Sequence, residues 1–240
     1  MGEAEMCYLC FSKKLLPMKA MTYADFLGQF APEAVIVADG QFPRHPLPLR
    51  VLREAAFVCC CDGALETLLS HGLTPQAIVG DGDSLSAERK KQFADRLHIE
   101  TEQEDNDLTK ATRHCQELGL RRIAYVGATG LREDHTIGNV SLLDEYSRKM
   151  GLQVVMLTDY GYFLPVSGSC LLPTFKGQQV SVFNLSSRHI VSQGLRWPTY
   201  PFTSWWQGSL NEALGEEVRL EADGGCVVFL TYQPKTDGRH

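Results

Sequence analysis

Short apolar runs alternate with longer polar segments of helical period from residue 34 to residue 157, and this alternation constrains the fold more than any other feature. The apolar runs are rich in β-branched residues, which favours strands, and the segments between them are long enough for crossover helices. The candidate strands are AVIVA (34–38), AFVCCC (56–61), QAIV (76–79), RIAYV (122–126) and QVVML (153–157). The candidate helices cover residues 64–70, 86–97, 107–118 and 135–149. The pattern predicts βαβ units and a parallel sheet.

The pattern changes after Tyr160 to strand-like runs broken by Gly, Pro, Ser and Asn. These runs are YFLPV, SCLLP, QVSVFNL and CVVFLTY. Their spacing is typical of β-sandwiches, so the fold class is α/β, a parallel-sheet domain followed by a smaller all-β sandwich domain. We expect an extension of unclear role at residues 1–20, the α/β domain at 21–158 and the β domain at 159–240.

Charge and composition restrict the partners. A formal charge of −6 argues against nucleic acid and against an anionic membrane, which both attract clustered Lys and Arg. No apolar stretch approaches the roughly 20 residues of a spanning helix, and the opening MGEAEMCYLC is acidic where a secretory signal is basic. We therefore expect a cytoplasmic protein that binds small molecules. Three of the eight cysteines, Cys59 to Cys61, are consecutive in an apolar run and are interpreted as reduced core residues.

Three of the apolar runs finish in Asp-Gly, at Asp39, Asp62 and Asp81, and the third continues to Asp83. Asp-Gly is good turn chemistry, so any one of the three could be only a turn. In a parallel sheet, however, all three lie at the edge where ligands of open α/β sheets bind. Gathered carboxylates repel each other unless a cation neutralises them, and such hard oxygen ligands suit magnesium.

The segment 102–110, EQEDNDLTK, adds carboxylates where a helix begins. Asp107 and Lys110 are three residues apart and share one helix face. An N-cap from Asp105 or Asn106 would explain the acidic start, but it does not explain Lys110.

The most specific stretch, residues 126–139, is a strand end, a glycine-rich loop, an arginine and then a helix start. Gly127 and Gly130 let backbone amides approach a phosphate, Arg132 can pair with phosphate oxygens, and Asp134 can hold a cation. His135 at a helix start is more often a local hydrogen-bonding residue than a catalyst. Neither a P-loop nor a Gly-x-Gly-x-x-Gly fingerprint is present, so the sequence indicates a different phosphate chemistry. We expect magnesium-dependent transfer of a phosphate-containing group from a nucleotide to a hydroxyl.

Taken in order, six motifs resemble those of thiamine pyrophosphokinases. They are CDGA (61–64), GDGDS (80–84), NDLTKA (106–111), GATGLREDHTIGN (127–139), QGLRWP (193–198) and SLNE (209–212). The resemblance covers roughly residues 34 to 232. It departs from the family at Asn106, where Thr is usual, at Leu65, where Asn is usual, and at Leu131, where a second loop Gly is usual.

The resemblance implies transfer of the pyrophosphoryl group of ATP to the hydroxyl of thiamine, with release of AMP, by a homodimer whose sites lie between subunits. The parallel-sheet domain is then the ATP-binding domain, with Mg²⁺ as cofactor. Implied magnesium ligands are Asp81, Asp83, Asp107 and Asp134. Implied catalytic residues are Asp81, Asp83, Asp107, Lys110 and Arg132. Implied nucleotide-binding residues are Asp62, Gly63, Gln103, Asn106, Gly127, Thr129, Asp134 and His135.

The resemblance assigns thiamine binding to Trp197, Ser209 and Asn211. Thiamine is cationic with flat rings, so an aromatic face can hold it by stacking and cation–π attraction. Without the resemblance, a Trp beside Pro in a β domain is more often core packing. Three alternatives stay open: pyrophosphoryl transfer to a hydroxymethyl pterin, a non-catalytic thiamine or nucleotide sensor, and a structural α/β protein whose aspartates make only turns and caps.

Overall fold

The computed structural model describes residues 30–234 of the chain. The predicted extension at residues 1–20 lies outside them. The described chain forms two compact units. We call residues 31–142 and 154–159 the α/β unit, and residues 143–153 and 160–234 the β unit. Within the described residues no helix combines the length and apolar character needed to cross a membrane. The domain boundaries at 21–158 and 159–240 stay a prediction.

Six strands belong to the sheet of the α/β unit: β1 (Ala34–Val37), β2 (Val58–Cys61), β3 (Ala77–Gly80), β4 (Leu97–Ile99), β5 (Arg122–Val126) and β6 (Gln153–Leu157). They lie in the order β6-β5-β1-β2-β3-β4. The pairings β1–β5, β1–β2, β2–β3 and β3–β4 are all parallel. Every residue of β1, β2 and β3 is buried, as expected when a sheet is covered on both faces. The predicted parallel sheet is confirmed.

Within residues 31–234 the α-helices are α1 (Pro46–Glu54), α2 (Leu65–Ser70), α3 (Ala87–Gln92), α4 (Asp107–Glu117) and α5 (Glu133–Arg148). The prediction of a helix up to residue 97 is wrong, because α3 ends at Gln92 and Leu97 already begins β4. Helix α3 buries no residue and β4 is a mostly exposed edge strand, so neither has a clear apolar pattern. Helix α1 has no counterpart in the sequence prediction. Its two prolines lie in the first turn, where no helical N–H partner is lost.

The β unit contains β7 (Gly161–Pro173), β8 (Gln178–Asn184), β9 (Ile190–Gln193), β10 (Asn211–Glu212) and β11 (Glu217–Pro234). All of its pairings are antiparallel. Strand β11 pairs with β7 along most of its length, with β9 through its first part and with β8 through its second. The register breaks between Ala222 and Cys226. The runs YFLPV and SCLLP, predicted as two strands, form the single strand β7.

The cysteines of the described chain are free and buried, namely Cys59, Cys60, Cys61, Cys115, Cys170 and Cys226. Burial raises the pKa of the Cys60 thiol to about 12, so the thiol stays protonated at neutral pH. The interpretation of Cys59 to Cys61 as reduced core residues is confirmed.

Candidate active site

Asp39 and Asp62 follow the carboxyl ends of the neighbouring strands β1 and β2, and glycines make room for both. A Cβ atom on Gly63 would stand 2.6 Å from Oδ2 of Asp39, and one on Gly80 would stand 2.5 Å from Cγ of Asp62. Any larger residue at these two positions would push a carboxylate away from the sheet edge. The Asp-Gly pair at residues 62–63 therefore has a steric cause in addition to the turn, and Gly80, which precedes Asp81, has a similar one.

Asp62 is buried, and its side chain links two loops by hydrogen bonds. Its Oδ1 accepts a hydrogen bond from the N–H of Gly63 at 2.7 Å, and its Oδ2 accepts one from the N–H of Gly82 at 2.8 Å. Since Gly82 lies between Asp81 and Asp83, Asp62 positions the loop that carries both of these residues. The exposed fraction of Asp62 is 3%, so its carboxylate is mainly a scaffold for this edge.

Asp81 is stabilised as an anion. Its Oδ1 accepts a hydrogen bond from the N–H of Asp83 at 3.0 Å. That bond, a hydrogen bond with Gln103 and the positive charge of Lys110 hold the pKa of Asp81 below its usual range against a smaller opposing effect of burial. Asp83 is exposed beside it. The structure thus brings Asp81, Gln103 and Lys110 together, as their predicted roles require.

Helix α4 begins at Asp107 and is capped by Asn106, whose Oδ1 accepts from the N–H of Thr109 at 2.9 Å. One turn later, the Nζ atom of Lys110 lies 3.5 Å from Oδ1 of Asp107. Lys110 is 2% exposed, which is rare for a lysine and requires a charged partner. The expected Asp107–Lys110 pair is present.

Two carboxylates at this edge are destabilised as anions. Burial and the negative charge of Asp62 raise the pKa of Asp39. Burial, Asp62 and Asp81 raise the pKa of Asp107, and the nearby Lys110 only partly offsets them. This is the expected consequence of gathering carboxylates at one sheet edge. We call Asp39, Asp62, Asp81 and Asp107 the acidic edge.

The acidic edge is not a closed metal cage. Over residues 30–234, no three Asp, Glu, His or Cys side chains stand together in a geometry that could enclose a metal ion. The chemistry of the oxygen donors nevertheless fits a hard divalent cation, because the carboxylates repel one another and a cation would relieve that repulsion.

The loop after β5 is joined to the loop after β1. The N–H of Gly40 donates to the carbonyl of Gly127 at 2.7 Å, and the N–H of Gln41 donates to the carbonyl of Thr129 at 2.8 Å. Gly127 has a φ of +66°, and a Cβ atom there would lie 2.6 Å from the carbonyl oxygen of Ala38. Only glycine fits this close approach. The 127–130 loop is therefore held beside the Asp39 end of β1.

Arg132 and Asp134 form an exposed ion pair with a closest separation of 2.5 Å. Oδ1 of Asp134 also accepts from the N–H of His135 at 2.9 Å. The Arg132 guanidinium lowers the pKa of Asp134 to about 2. The basic groups Arg132 and His135, rather than the other aspartates, set this pKa. Asp134 thus stands apart electrostatically from the acidic edge, and its assignment as a magnesium ligand stays a prediction.

The sequence prediction left out three residues near the site. Asp39 belongs to the strand–Asp–Gly pattern, but it lies outside the six motifs described in the sequence. Gln41 approaches the 127–130 loop, since a Cβ atom on Gly130 would lie 2.8 Å from its Oε1. Asn139 donates to the carbonyl of Ala128 at 2.9 Å. Asp39 had a signal in the sequence in its strand–Asp–Gly run, and Asn139 had one as the last residue of the 127–139 motif, whereas Gln41 had none.

In the β unit, Trp197 is 52% exposed, which excludes the core-packing interpretation. Buried Asn211 holds its backbone from both sides: Oδ1 accepts from the N–H of Trp197 at 3.1 Å, and Nδ2 donates to its carbonyl at 2.7 Å. The guanidinium carbon of Arg196 lies 5.8 Å from the centre of the indole ring. The direct effect of the Asn211 side chain is therefore to hold the backbone of Trp197 in place. Ser209 donates its hydroxyl to the carbonyl of Trp206 at 2.7 Å.

These features define a class: an open α/β protein with an acidic edge at the carboxyl ends of its parallel strands and a β unit that presents an exposed tryptophan. Two family models match the chain, "Thiamin pyrophosphokinase, catalytic domain" over residues 49–156 and "Thiamin pyrophosphokinase, substrate-binding domain" over residues 161–229. Together they cover well over half of the sequence. The chain belongs to the thiamin pyrophosphokinase family.

Individual relatives agree with this assignment. A thiamine pyrophosphokinase of Bacillus subtilis is 34% identical over 86 residues, covering 34% of this chain and 40% of that protein. Thiamin pyrophosphokinase from Candida albicans has a solved structure that matches with a TM-score of 0.70 at 17% identity, over 84% of this chain and 90% of that one. The solved Bacillus subtilis structure matches with a TM-score of 0.66 at 22% identity, over 82% and 97%. At these identities the solved structures establish the mixed α/β fold.

Proposed function

We propose that this protein is a magnesium-dependent thiamine diphosphokinase that converts ATP and thiamine to AMP and thiamine diphosphate. The observation that carries the proposal is the nearly buried amine of Lys110, held 3.5 Å from Asp107 where the acidic edge meets helix α4. A buried cation beside several carboxylates is a costly arrangement, and such groups cluster at functional sites. Membership of the family supplies the reaction.

We assign the α/β unit to ATP and the β unit, as a β-sandwich domain, to thiamine. The nucleotide would be bound by the residues predicted from the motifs: Asp62, Gly63, Gln103, Asn106, Gly127, Thr129, Asp134 and His135. The backbone of the 127–130 loop and the exposed guanidinium of Arg132 are suited to phosphate oxygens, because both present N–H donors. Lys110 adds a positive charge beside Asp107 and Asp81.

A divalent cation fits the proposed site. Asp81, Asp83 and Asp107 are the residues we assign to it, with Asp134 as the fourth ligand predicted from the resemblance. When bound with ATP, magnesium supplies neutralisation of phosphate charge and alignment of the phosphates. Asp62 contributes indirectly, because it holds the loop that carries Asp81 and Asp83.

The chain's own groups then have distinct tasks in the transfer. The thiamine hydroxyl oxygen forms a bond to the β-phosphorus of ATP, and the bond between that phosphorus and the α-phosphate oxygen breaks, so AMP leaves with the electron pair. Lys110 and Arg132 stabilise the charge that develops on the phosphate oxygens. We assign uptake of the hydroxyl proton to one of the carboxylates of Asp81, Asp83 and Asp107.

Thiamine binding is assigned to Trp197, with Ser209 as a hydrogen-bonding group and Asn211 as the residue that fixes the Trp197 backbone. The exposed indole is available for a flat cationic ring. The family resemblance also implies a homodimer. An exposed apolar surface on the β unit supports it, formed by Tyr200, Trp205, Trp206 and Leu210, which are 41% to 75% exposed.

The experiment is incubation of purified protein with thiamine, ATP and magnesium, followed by chromatography of the nucleotides. AMP together with thiamine diphosphate supports the proposal. ADP with thiamine monophosphate contradicts pyrophosphoryl transfer. AMP that forms only with a hydroxymethyl pterin contradicts thiamine as the acceptor, although the match to a thiamin pyrophosphokinase substrate-binding domain does not favour that alternative. Binding of both ligands without any product would indicate a sensor.

A further inference from the structure

The amide of Asn139 touches two segments that are far apart in the sequence. Its Nδ2 donates to the carbonyl of Ala128 at 2.9 Å, within the 127–130 loop. Its Oδ1 accepts from Nδ2 of Asn106 at 3.0 Å, at the first turn of helix α4. One side chain of α5 therefore joins the loop proposed for phosphate to the helix that carries Asp107 and Lys110.

Asn106 takes part in this contact only because it is an amide. Its Oδ1 is already used as the helix cap, accepting from both the N–H and the hydroxyl of Thr109 at 2.9 Å. Its Nδ2 remains for Asn139. A threonine at position 106 offers one hydroxyl, so it could cap the helix but would have no amide donor to extend towards Asn139. The departure from the family's usual Thr thus has a structural consequence in this chain.

We propose that Asn139 and Asn106 form a positioning bridge, which fixes the distance between the 127–130 loop and the Asp107–Lys110 turn. The inference rests on the proposed function, since it concerns where the two halves of that site stand relative to each other. Asn139 acts through the groups it holds and is a positioning residue.

The bridge acts on geometry more than on stability. Asn106 is exposed, so its hydrogen bonds contribute little to the stability of the fold. Misplacing reacting groups by about 1 Å can lower a rate by about 100-fold. We therefore expect the bridge to affect kcat strongly and thermal stability weakly.

The test is a double-mutant cycle with Asn106→Thr and Asn139→Ala, measured by AMP formation at saturating substrates. Asn106→Thr retains the helix cap and replaces the amide donor to Asn139 with a hydroxyl that is one bond shorter and is used by the cap, and kcat should fall by about 10-fold. In the Asn139→Ala background the same substitution should change kcat by less than about 2-fold, because the bridge is already absent. Ser141→Ala, on the same helix with a hydroxyl that donates to the Gly138 carbonyl at 2.7 Å, is the matched control and should retain full kcat.

Hydrogen exchange of the same proteins separates this inference from the proposed function. Asn139→Ala should speed exchange in both the 127–136 and the 106–112 segments, whether or not the protein is an enzyme. If the wild-type protein makes no AMP but both segments respond, the bridge stands and the proposed function fails. Equal effects of Asn106→Thr on kcat in the two backgrounds, or exchange that changes in one segment alone, would overturn the bridge.

Discussion

The amine of Lys110 lies 3.5 Å from a carboxylate oxygen of Asp107, and the two side chains differ in exposure, 3% for Lys110 and 42% for Asp107. The lysine stem is therefore fixed by its surroundings, while the carboxylate faces the open side of the sheet edge. A cation held in this way is preorganised and needs little rearrangement to meet a phosphate.

We predict that Lys110→Met lowers kcat by about 100-fold or more, because it removes a fixed positive charge but retains the length of the buried stem. The measurement is the initial rate of AMP formation with saturating thiamine and ATP. The control is Lys149→Met, which removes an exposed lysine paired with Glu145 and should leave kcat unchanged. Equal rates for the wild type and Lys110→Met would contradict the assigned role.

The isosteric changes Asp81→Asn and Asp83→Asn should abolish transfer and leave the fold intact. Each removes a negative charge that we assign to the cation, while the amide oxygen at position 81 can still accept the 3.0 Å hydrogen bond from the N–H of residue 83. Turnover and the melting temperature should be measured for both, with exposed Asp95→Asn as the control. Near-normal turnover in both variants would remove the magnesium assignment.

Asp39→Asn should stabilise the ligand-free protein at neutral pH and lower its activity. Burial and Asp62 raise the pKa of Asp39 above 3.8, so its charged form is less favourable in the folded state than in the unfolded chain. Below about pH 3.8 the protonated Asp39 side chain favours the folded wild-type protein. This stabilisation is lost as the pH rises through the pKa of Asp39 in the folded state. The free energy of unfolding of Asp39→Asn should therefore exceed that of the wild type by an amount that increases from pH 3.5 to pH 7.

Urea unfolding at several pH values, without nucleotide or divalent cation, measures this difference. A constant difference across the pH range would show that the Asp39 charge is not the cause. A stabilised variant with full activity would show that Asp39, unlike the rest of the acidic edge, has no part in the reaction.

The sequence predicts those parts of the fold and site that depend on local patterns. The strands that carry Asp39, Asp62 and Asp81 are fully buried apolar runs, so their type and the shared edge follow from the sequence. The Asp107–Lys110 pair follows from helical periodicity. By contrast, the Asn106–Asn139 contact spans 33 residues and the Asn211–Trp197 contacts span 14, and no local pattern indicates such hydrogen bonds.

Trp197→Ala should raise the KM for thiamine by about 10-fold or more and change kcat and the melting temperature little. The indole is half exposed, so its loss removes a stacking and cation–π surface without opening a core cavity. Steady-state kinetics with varied thiamine at fixed ATP measure the effect, and an unchanged KM would contradict thiamine binding by this residue. The control is Trp206→Phe, at a more exposed position to which no thiamine contact is assigned.

Asn211→Ala should act on thiamine binding through Trp197 and also cost stability. Asn211 is 7% exposed, and its truncation leaves the backbone N–H and carbonyl of Trp197 without their partner, at a cost of about 1–3 kcal/mol. The KM for thiamine should rise in the otherwise wild-type protein. In the Trp197→Ala background the same change should lower the melting temperature but leave the KM nearly constant, because the indole that Asn211 positions is already gone. A further rise in KM in that background would instead show that the Asn211 amide contacts thiamine directly, as the family resemblance alone implies.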